Sequence, residues 1–346
     1  RRYAAQVIAH SDADILETMG LTDSRPSQAV IYDGSGTPEV PDDHDDTWVA
    51  ITSAQQWIDL ANVEDLPSDP ADSSSDSQQK VEWSKKYYLA NDLDFSQLSA
   101  AYQTKTKSIG NTTNRFNGVL DGNGYVIRGL TLSNYDSGLF WYVGAGGYIY
   151  DLKVENANVL FSDNAAVLVH NNMEQCAVVN TNITADTGAV LGGMVSRNYG
   201  TIRDSYVEGG TLTSNSATST GHAGFVGANE EGGLIERCWT SMSVSTQSDY
   251  AGGFVGLGYG GTIRNCFALG NVSGRGYSGG FVGRSVFQGN AYESCYAAGI
   301  VTVAGAEGNG FIGGNKPDSA FQYDQSEGGW NCYYNSENTG AHGYGA

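Results

Sequence analysis

The sequence predicts an all-β protein, a parallel β-helix with about 29 residues and three short strands in each coil. The first observation is a phrase, Gly-Phe-Val-Gly, that stands at Gly253–Gly256 and Gly280–Gly283 and recurs in looser copies. The first apolar residues of the seven copies are Leu139, Val167, Met194, Phe225, Phe254, Phe281 and Phe311. Their spacings are 28, 27, 31, 29, 27 and 30 residues. A period of about 20–50 residues is typical of a solenoid rather than of one closed core.

The second observation is what each repeat contains. After the phrase and a Gly-rich turn comes an apolar residue, and three positions later usually a cysteine. A short β-rich stretch such as Asn182–Thr184 or Ser243–Ser245 follows. Three strands with turns fill a repeat and leave no room for a helix. Because equivalent residues of adjacent coils then lie about 4.8 Å apart, each repeat position becomes a ladder in space. We interpret the glycines as turn positions; the sequence does not decide whether the phenylalanine column or the next apolar column faces inward.

The third observation is composition. With 47 Gly and 21 Tyr but only 6 Pro among 346 residues, the chain suits short strands joined by tight turns. Lys and Arg total 18 against 38 Asp and Glu, a formal net charge of −20. This charge repels phosphate backbones and anionic lipids, so we expect no nucleic-acid partner. No apolar run reaches the ~18 residues of a membrane helix, so we expect no membrane insertion.

Three regions are predicted along the chain. They are an N-terminal segment with an acidic linker (1–47), a capping helix with the first coils (48–135), and the repeat β-helix with a degenerate C-terminal coil (136–346). Ser53–Gln56 has the pattern of a capping box, which predicts the short helix.

The N-terminal segment has helix-forming character over Arg2–Met19 and ends in the acidic stretch Pro41–Asp46. The aspartates of that stretch lack the spacing of an EF-hand loop, so calcium binding is unsupported and no cofactor is predicted. Docking of this segment on a neighbouring copy would give self-assembly.

One repeat position holds four cysteines, Cys176, Cys238, Cys266 and Cys295. Leu152 and Ser205 stand at the same position, and this interchange predicts small buried thiols stacked in the interior. Disulfides are disfavoured, because parallel Cβ directions in adjacent coils do not give the required geometry. No CxxC pair is present and His is scarce, so no metal site is predicted.

Two residues before that position the charge alternates in five consecutive coils. The residues are Glu174, Arg203, Glu236, Arg264 and Glu293. Opposite charges on neighbouring strands stabilise one register, at about 0.2–1 kcal/mol each. The alternative is a row of catalytic carboxylates with arginines for an acidic sugar, but an active site would concentrate carboxylates within about 5–10 Å. Regular alternation favours the structural ladder.

One residue after the cysteine position stands an aromatic column, Tyr206, Trp239, Phe267 and Tyr296. If the cysteines point inward, strand alternation turns these rings outward. An exposed aromatic stripe could stack against sugar rings, and it is the candidate binding surface. The alternative is that the rings pack only on one another.

The chain resembles the GLUG repeat of secreted bacterial proteins. Gly252–Gly256 followed by Gly261–Val272 carries the resemblance, and Leu120–Ile127 resembles the segment that precedes such repeats. The resemblance covers roughly residues 48–315. It implies a right-handed parallel β-helix in large bacterial surface or secreted proteins, including adhesin-like proteins and relatives of immunoglobulin A peptidases. It supplies no catalytic residues.

Three functions remain open at this stage. The leading hypothesis is a non-enzymatic, extracellular or cell-surface stalk or adhesin-type domain that presents a face to a glycan or a host protein. The first alternative is a polysaccharide lyase or glycoside hydrolase, for which carboxylates must converge. The candidates for that are Asp204, Glu208, Glu230 and Glu231, although no spacing selects them. The second alternative is a structural spacer or filament subunit.

Overall fold

The structure is a computed structural model that describes residues 44–72, 74–133, 136, 138–161, 166–168, 172–185, 189–286, 289–303, 308–315 and 332–334. Its strands stack coil upon coil into a parallel β-solenoid of about seven turns with about 29 residues per turn, the predicted class. Neighbouring strands of each sheet run parallel in register. The predicted N-terminal helix lies outside the described residues.

The described strands form five sheets. Sheet I consists of Trp48–Ile51, Lys86–Leu89, Val119–Asp121, Tyr148–Tyr150, Met173–Glu174, Thr201–Arg203, Leu234–Glu236, Thr262–Arg264 and Ala291–Glu293. Sheet II consists of Leu93–Asp94, Val126–Arg128, Lys153–Glu155, Ala177–Val179, Tyr206–Glu208, Trp239–Thr240, Phe267–Ala268, Tyr296–Ala297 and Tyr333–Tyr334. Sheet III consists of Thr131–Leu132, Asn158–Phe161, Asn182–Ala185, Thr211–Ser214, Ser243–Thr246, Val272–Gly274 and Val301–Val303.

Sheets IV and V occupy the part of the coil that contains the repeated phrase. Sheet IV consists of Leu191–Gly192, Gly221–Ala223, Tyr250–Gly252, Tyr277–Gly279 and Gly308–Asn309. Sheet V consists of Val195–Asn198, Val226–Asn229, Val255–Gly258, Val282–Ser285 and Ile312–Asn315. The later coils therefore contain five strands each, where three were predicted.

Two glycines, one directly before the phrase and one at its end, explain this difference. Gly252 and Gly256 lie in strands on either side of a bend, and neither has a positive φ. A Cβ at Gly252 would lie 1.9 Å from the Val255 carbonyl oxygen, and one at Gly256 would lie 2.5 Å from the His222 nitrogen. These glycines allow two strands to fold closely against each other, so the interpretation as turn residues is wrong here.

The two apolar columns of the phrase are both buried. Phe225, Phe254, Phe281 and Phe311 stack with centroids 4.6, 4.7 and 4.9 Å apart. The following column, which includes Val226, joins the same core. The bend between sheets IV and V thus turns both columns toward the interior.

The corner between sheets I and II contains one non-glycine residue in the left-handed conformation in each coil from Val119 onward. These residues are Asn123, Asp151, Gln175, Asp204, Arg237, Asn265 and Ser294, with φ between 47° and 54°. Asn and Asp tolerate this region better than other residues with a side chain. The Asp204 N–H donates to the Glu236 carbonyl of the next coil at 3.2 Å, so parallel bonding continues through the corner.

Three short helices accompany the first coils: α1 (Ala54–Ala61), α2 (Gln78–Glu82) and α3 (Ala100–Gln103), with a 3₁₀ turn at Phe95–Gln97. The Ser53 hydroxyl accepts from the Gln56 N–H at 3.2 Å, as the capping pattern predicts. Trp57 of α1 is fully buried and packs edge-on against Phe140.

Candidate functional surfaces

The aromatic column points away from the main core but is buried. The rings of Tyr206, Trp239 and Phe267 are parallel within 3°, with centroids 4.8 and 5.7 Å apart. Tyr296 continues the column in register, and burial raises the pKa of its hydroxyl to about 12. None of the four rings is more than 2% exposed. The prediction of a solvent-facing binding stripe at these residues is therefore wrong.

The physical reason is that flat rings cover one another. One strand spacing, about 4.8 Å, is close enough for each ring to contact the faces of its neighbours. Ala177 belongs to the same buried cluster, and Val179, Leu269 and Ala298 pack against it. Strand alternation correctly gives the direction of these side chains, but it does not give their exposure.

The charged column lies on the outer face of sheet I in the predicted register. Parallel pairing joins Glu174, Arg203, Glu236, Arg264 and Glu293 in that order. The ion pairs concentrate on its centre. Glu174 accepts a hydrogen bond from the Tyr148 hydroxyl, and Glu293 makes no ion pair with any residue that the structure describes.

Glu236 is the most strongly bound member of that column. It accepts from the Arg203 Nε at 2.5 Å and from the Arg264 Nε at 2.7 Å, and Arg237 lies 3.2 Å away. Burial by itself would raise the pKa of Glu236, but the hydrogen bonds from Arg264 and Arg203 outweigh it and lower the pKa. Ion pairs with arginines of the two neighbouring coils are what a ladder that stabilises one strand register predicts.

The four thiols at the shared repeat position are fully buried and unbridged. Each Sγ contacts the carbonyl oxygen two residues earlier, at 3.3 Å for Cys176 and 3.1 Å for Cys266. The Ser205 hydroxyl donates to the equivalent carbonyl at 2.6 Å, which explains why serine can replace cysteine. Burial raises the pKa of Cys176 to about 12, so this thiol remains protonated and unreactive.

The carboxylates considered for catalysis do not converge. Asp204 accepts two hydrogen bonds from Arg237, at 2.8 and 2.7 Å. Glu230 forms an ion pair with an arginine of sheet V, and Glu208 and Glu231 are exposed. These four residues do not make a site.

A different pair of carboxylates lies at the first corner of the β-helix. Asp121 accepts from the His44 ring, whose Nε2 lies 2.9 Å from Oδ2. That ring stacks on Tyr88 at 4.3 Å and contacts Trp48 at 4.5 Å. Burial, together with the charge of Asp121, raises the pKa of Asp151 to about 6. A carboxyl whose pKa is raised beside a second carboxyl is the pattern of a candidate general acid. Sequence reasoning missed the pair, because its members stand one coil apart.

The outer face of sheet III, which we call the hydroxyl face, is polar and open to solvent. Its outward residues are exposed or partly exposed, and none is charged. They are Asn158, Leu160, Asn182, Thr184, Thr211, Thr213, Ser243, Ser245, Asn271, Ser273, Ile300 and Thr302. The residues between them, such as Ile183 and Leu212, are fully buried in the core. A shallow depression of about 290 Å³ runs along this face from Thr211 to Thr302.

Many donors and acceptors on the hydroxyl face are unused by the protein. The Thr211 hydroxyl donates to Asn182 Oδ1 at 3.0 Å. By contrast, several hydroxyls have no hydrogen-bond partner within the described part of the chain; they belong to Thr184, Thr213, Ser243, Ser245, Ser273 and Thr302. The sequence contained the signal for this face, since Asn-Ile-Thr, Thr-Leu-Thr and Ser-Val-Ser recur at one repeat position.

Two negative findings apply to the described ranges alone. They contain no group of three or more His, Cys, Asp or Glu side chains placed to hold a metal ion. They also contain no helix long and apolar enough to span a membrane. Residues 41–43 of the acidic stretch lie outside these ranges.

Stacked coils and five parallel sheets define the class of the protein as a β-helical solenoid. A solved structure from Bacteroides ovatus, whose description proposes an immunoglobulin A1 protease, resembles it with a TM-score of 0.51. The alignment covers 81% of this chain and 86% of that chain at 17% identity. At this identity the similarity concerns the fold alone. No curated protein sequence matches the chain.

Residues 248–273 match the family model of the GLUG motif. The match falls on the copy of the repeat that carries the resemblance seen in the sequence. It supports assignment of the chain to the GLUG-repeat family.

Proposed function

We propose that the chain is an extracellular β-helical stalk or adhesin-type domain that binds a glycan on its hydroxyl face. The GLUG motif and the β-solenoid fold fit an extracellular β-helical domain. The observation that supports binding is the ladder of exposed hydroxyl groups on sheet III, several of which have no hydrogen-bond partner among the residues that the structure describes.

The chemistry of this face suits a neutral saccharide. Sugar hydroxyls both donate and accept hydrogen bonds, as the side chains of Ser, Thr and Asn do. Because the outward residues of sheet III carry no charge, this face differs from the rest of a chain whose net charge is −20. Equivalent groups recur about every 4.8 Å along the β-helix, which presents a repeating row to a repeating polymer.

A glycan is a better fit than a host protein. Protein interfaces depend on a few buried anchors, enriched in Trp, Tyr and Arg. The outward residues of sheet III include none of these types. Hydrogen bonding spread over many short side chains is instead suited to a hydroxylated polymer.

A glycan array with the purified chain, followed by calorimetry on the best neutral oligosaccharide, tests the proposal. The triple variant Thr213→Ala, Ser245→Ala, Ser273→Ala is expected to weaken binding at least about tenfold, since each lost hydrogen bond contributes about 0.5–1.5 kcal/mol. The matched control is Thr201→Ala with Thr262→Ala on sheet I, which should bind as the wild type does. Equal affinity of the triple variant, or no binding to any neutral glycan, would contradict the proposal.

The second candidate function is a carbohydrate-active enzyme, and the Asp121–Asp151 pair is the observation that favours it. A carboxyl with a pKa of about 6 could donate a proton near neutral pH. Release of reducing ends or of unsaturated products from polysaccharides would support this candidate. Loss of that activity in Asp151→Asn would assign it to the pair, and absence of turnover on a broad substrate panel would exclude it.

A further inference from the structure

One arginine of sheet V lies against two aromatic rings of sheet IV, which stack on each other with centroids 6.0 Å apart. The guanidinium carbon of Arg284 lies 5.0 Å from the ring centroids of both Tyr250 and Tyr277. Its Nη1 donates to the Tyr250 hydroxyl at 2.6 Å. All three side chains are partly exposed. The cation–π contacts and the hydrogen bond hold the planar guanidinium in one orientation at the surface.

Arg284 has no acidic partner among the residues that the structure describes. Most other described arginines do have one; these are Arg128, Arg197, Arg203, Arg237, Arg264 and Arg275. In a chain with 38 acidic and 18 basic residues, an arginine without a carboxylate is unexpected on composition alone. The Arg284 Nε is buried and has no hydrogen-bond partner in the described part of the chain.

The repeat supplies an internal comparison for this site. Arg197 stands at the same position of sheet V, since strand pairing links 197 to 228, 257 and 284. Arg197 pairs with Glu230, which directly follows Asn229 in the next coil. In the sequence Lys316 directly follows Asn315, the residue that corresponds to Asn229. At the position that corresponds to Glu230, the coil that follows Arg284 therefore has a lysine instead of an acidic residue.

We propose that Arg284, Tyr250 and Tyr277 form a binding site for the carboxylate of an acidic sugar residue, such as a uronic acid in a polysaccharide. A guanidinium fork matches a planar carboxylate and forms charge-assisted hydrogen bonds. The two phenol rings add apolar faces and hydroxyl groups beside the cation. A sugar ring could contact these groups while its carboxylate binds the guanidinium. This site rests on the proposed glycan-binding function and adds an acidic component to the ligand.

Long-range electrostatics make a specific prediction about this site. The net charge of −20 repels a polyanion at low salt. At about 0.15 M ionic strength the Debye length is about 8 Å, so distant carboxylates are screened while contacts at Arg284 persist. Binding of an acidic oligosaccharide is therefore expected to be stronger at 0.15 M than at 0.01 M salt, the reverse of the usual behaviour of a cationic site.

Calorimetry with a galacturonic acid trimer and with the neutral galactose trimer of the same linkage tests the proposal. The wild type is expected to bind the acidic trimer at least about tenfold more tightly than the neutral one. Arg284→Gln is expected to abolish this preference, and Arg284→Lys to retain only part of it, because lysine lacks the fork. Arg197→Gln changes the net charge equally and is expected to leave the preference intact.

Other outcomes would overturn the proposal. They are an unchanged preference in Arg284→Gln, an equal loss in Arg197→Gln, or equally tight Arg284-dependent binding of a glutamate hexapeptide. Melting temperatures establish that each variant is folded, and if Arg284→Gln is not, Tyr250→Phe removes only the hydroxyl and should weaken the acidic trimer several-fold. The triple variant of the hydroxyl face separates the two proposals. It should still prefer the acidic trimer, whatever happens to neutral glycans.

Discussion

The aromatic column of sheet II and the hydroxyl face of sheet III follow each other along the chain, yet the column is buried and the face is open to solvent. In one coil only Gly209 and Gly210 separate Tyr206–Glu208 from Thr211–Ser214. Both columns repeat at the same spacing and both point away from the core. Large flat rings cover one another at that spacing, whereas short hydroxyl side chains cannot. Exposure on a β-helix therefore depends on the size of the repeated side chain as well as on its direction.

The comparison bears directly on function. The rings predicted to bind a ligand are buried by packing on one another. The short polar side chains of the hydroxyl face remain accessible to a ligand. A column whose side chains pack on one another contributes to stability. A column whose polar groups lack partners within the described residues can bind a ligand. Mutation of the aromatic column is thus expected to lower stability, and mutation of the hydroxyl face is expected to weaken binding with little change in stability.

The largest expected effect is on the stability of the aromatic column. Trp239→Ala should lower the free energy of unfolding by about 3–5 kcal/mol, because a large buried ring is removed from between two others. Guanidinium unfolding curves measure this. Thr213→Ala on the hydroxyl face is the control and should change stability by less than about 0.5 kcal/mol. Similar losses of unfolding free energy in the two variants would show that the aromatic column is no more important for stability than the hydroxyl face.

A milder variant sharpens the same test. The Trp239 Nε1 is buried and has no hydrogen-bond partner in the described residues. Trp239→Phe keeps a stacking ring and removes this unpaired group, so it should cost much less than the alanine variant. A loss as large as that of Trp239→Ala would show that ring stacking is not what stabilises the column.

The next effect is the pH dependence of stability. The outward residues of sheet III do not contribute to it, because none is charged. His222 lies inside, with Nδ1 2.7 Å from the Thr246 hydroxyl and Nε2 2.9 Å from the Ala189 carbonyl. Burial lowers the pKa of His222 to about 4. Its contribution to stability is complete above the ordinary pKa of 6.5 and is lost as the pH falls toward 4. From pH 7.5 to 4.5 that loss amounts to about 2–3 kcal/mol.

A pH series of unfolding curves isolates this contribution. The difference in stability between the wild type and His222→Gln should shrink by that amount on acidification. Asp151 acts in the opposite direction, because its raised pKa of about 6 favours the folded state at low pH. The comparison is therefore best made in an Asp151→Asn background. A difference that is independent of pH would contradict the expected role of His222.

The smallest of these effects belongs to sheet I, whose outer face is charged and partly exposed. Glu236→Gln should cost about 1–2 kcal/mol, because hydrogen bonds to Arg203 and Arg264 weaken but persist without the charge. Raising the salt concentration should reduce this cost, since the arginines are about 40% exposed. Glu293→Gln, at a position without an ion pair among the described residues, is the control and should be nearly neutral. Equal costs at the two positions would argue against a register role for the ion pairs.

Periodicity made most of the fold predictable. Seven copies of one phrase at nearly constant spacing indicate which residues stack, because a parallel β-helix places equivalent residues one strand apart. The order of the charged column was predictable for the same reason. The helix after Ser53 was predictable from a local capping pattern instead. The five-strand coil was not predictable. It results from two strands folding together at glycines whose role depends on the neighbouring coil.

The sequence by itself thus determined the class of fold and the membership of every ladder, because both follow from a repeat length and from alternation along strands. Only the tertiary structure decided which ladders are covered, which carboxylates become neighbours, and which arginine is left without an acidic partner. Those properties depend on contacts between residues that a whole coil separates. The burial of the aromatic column, the Asp121–Asp151 corner and the surroundings of Arg284 each depend on such contacts, and no spacing within one repeat reveals them.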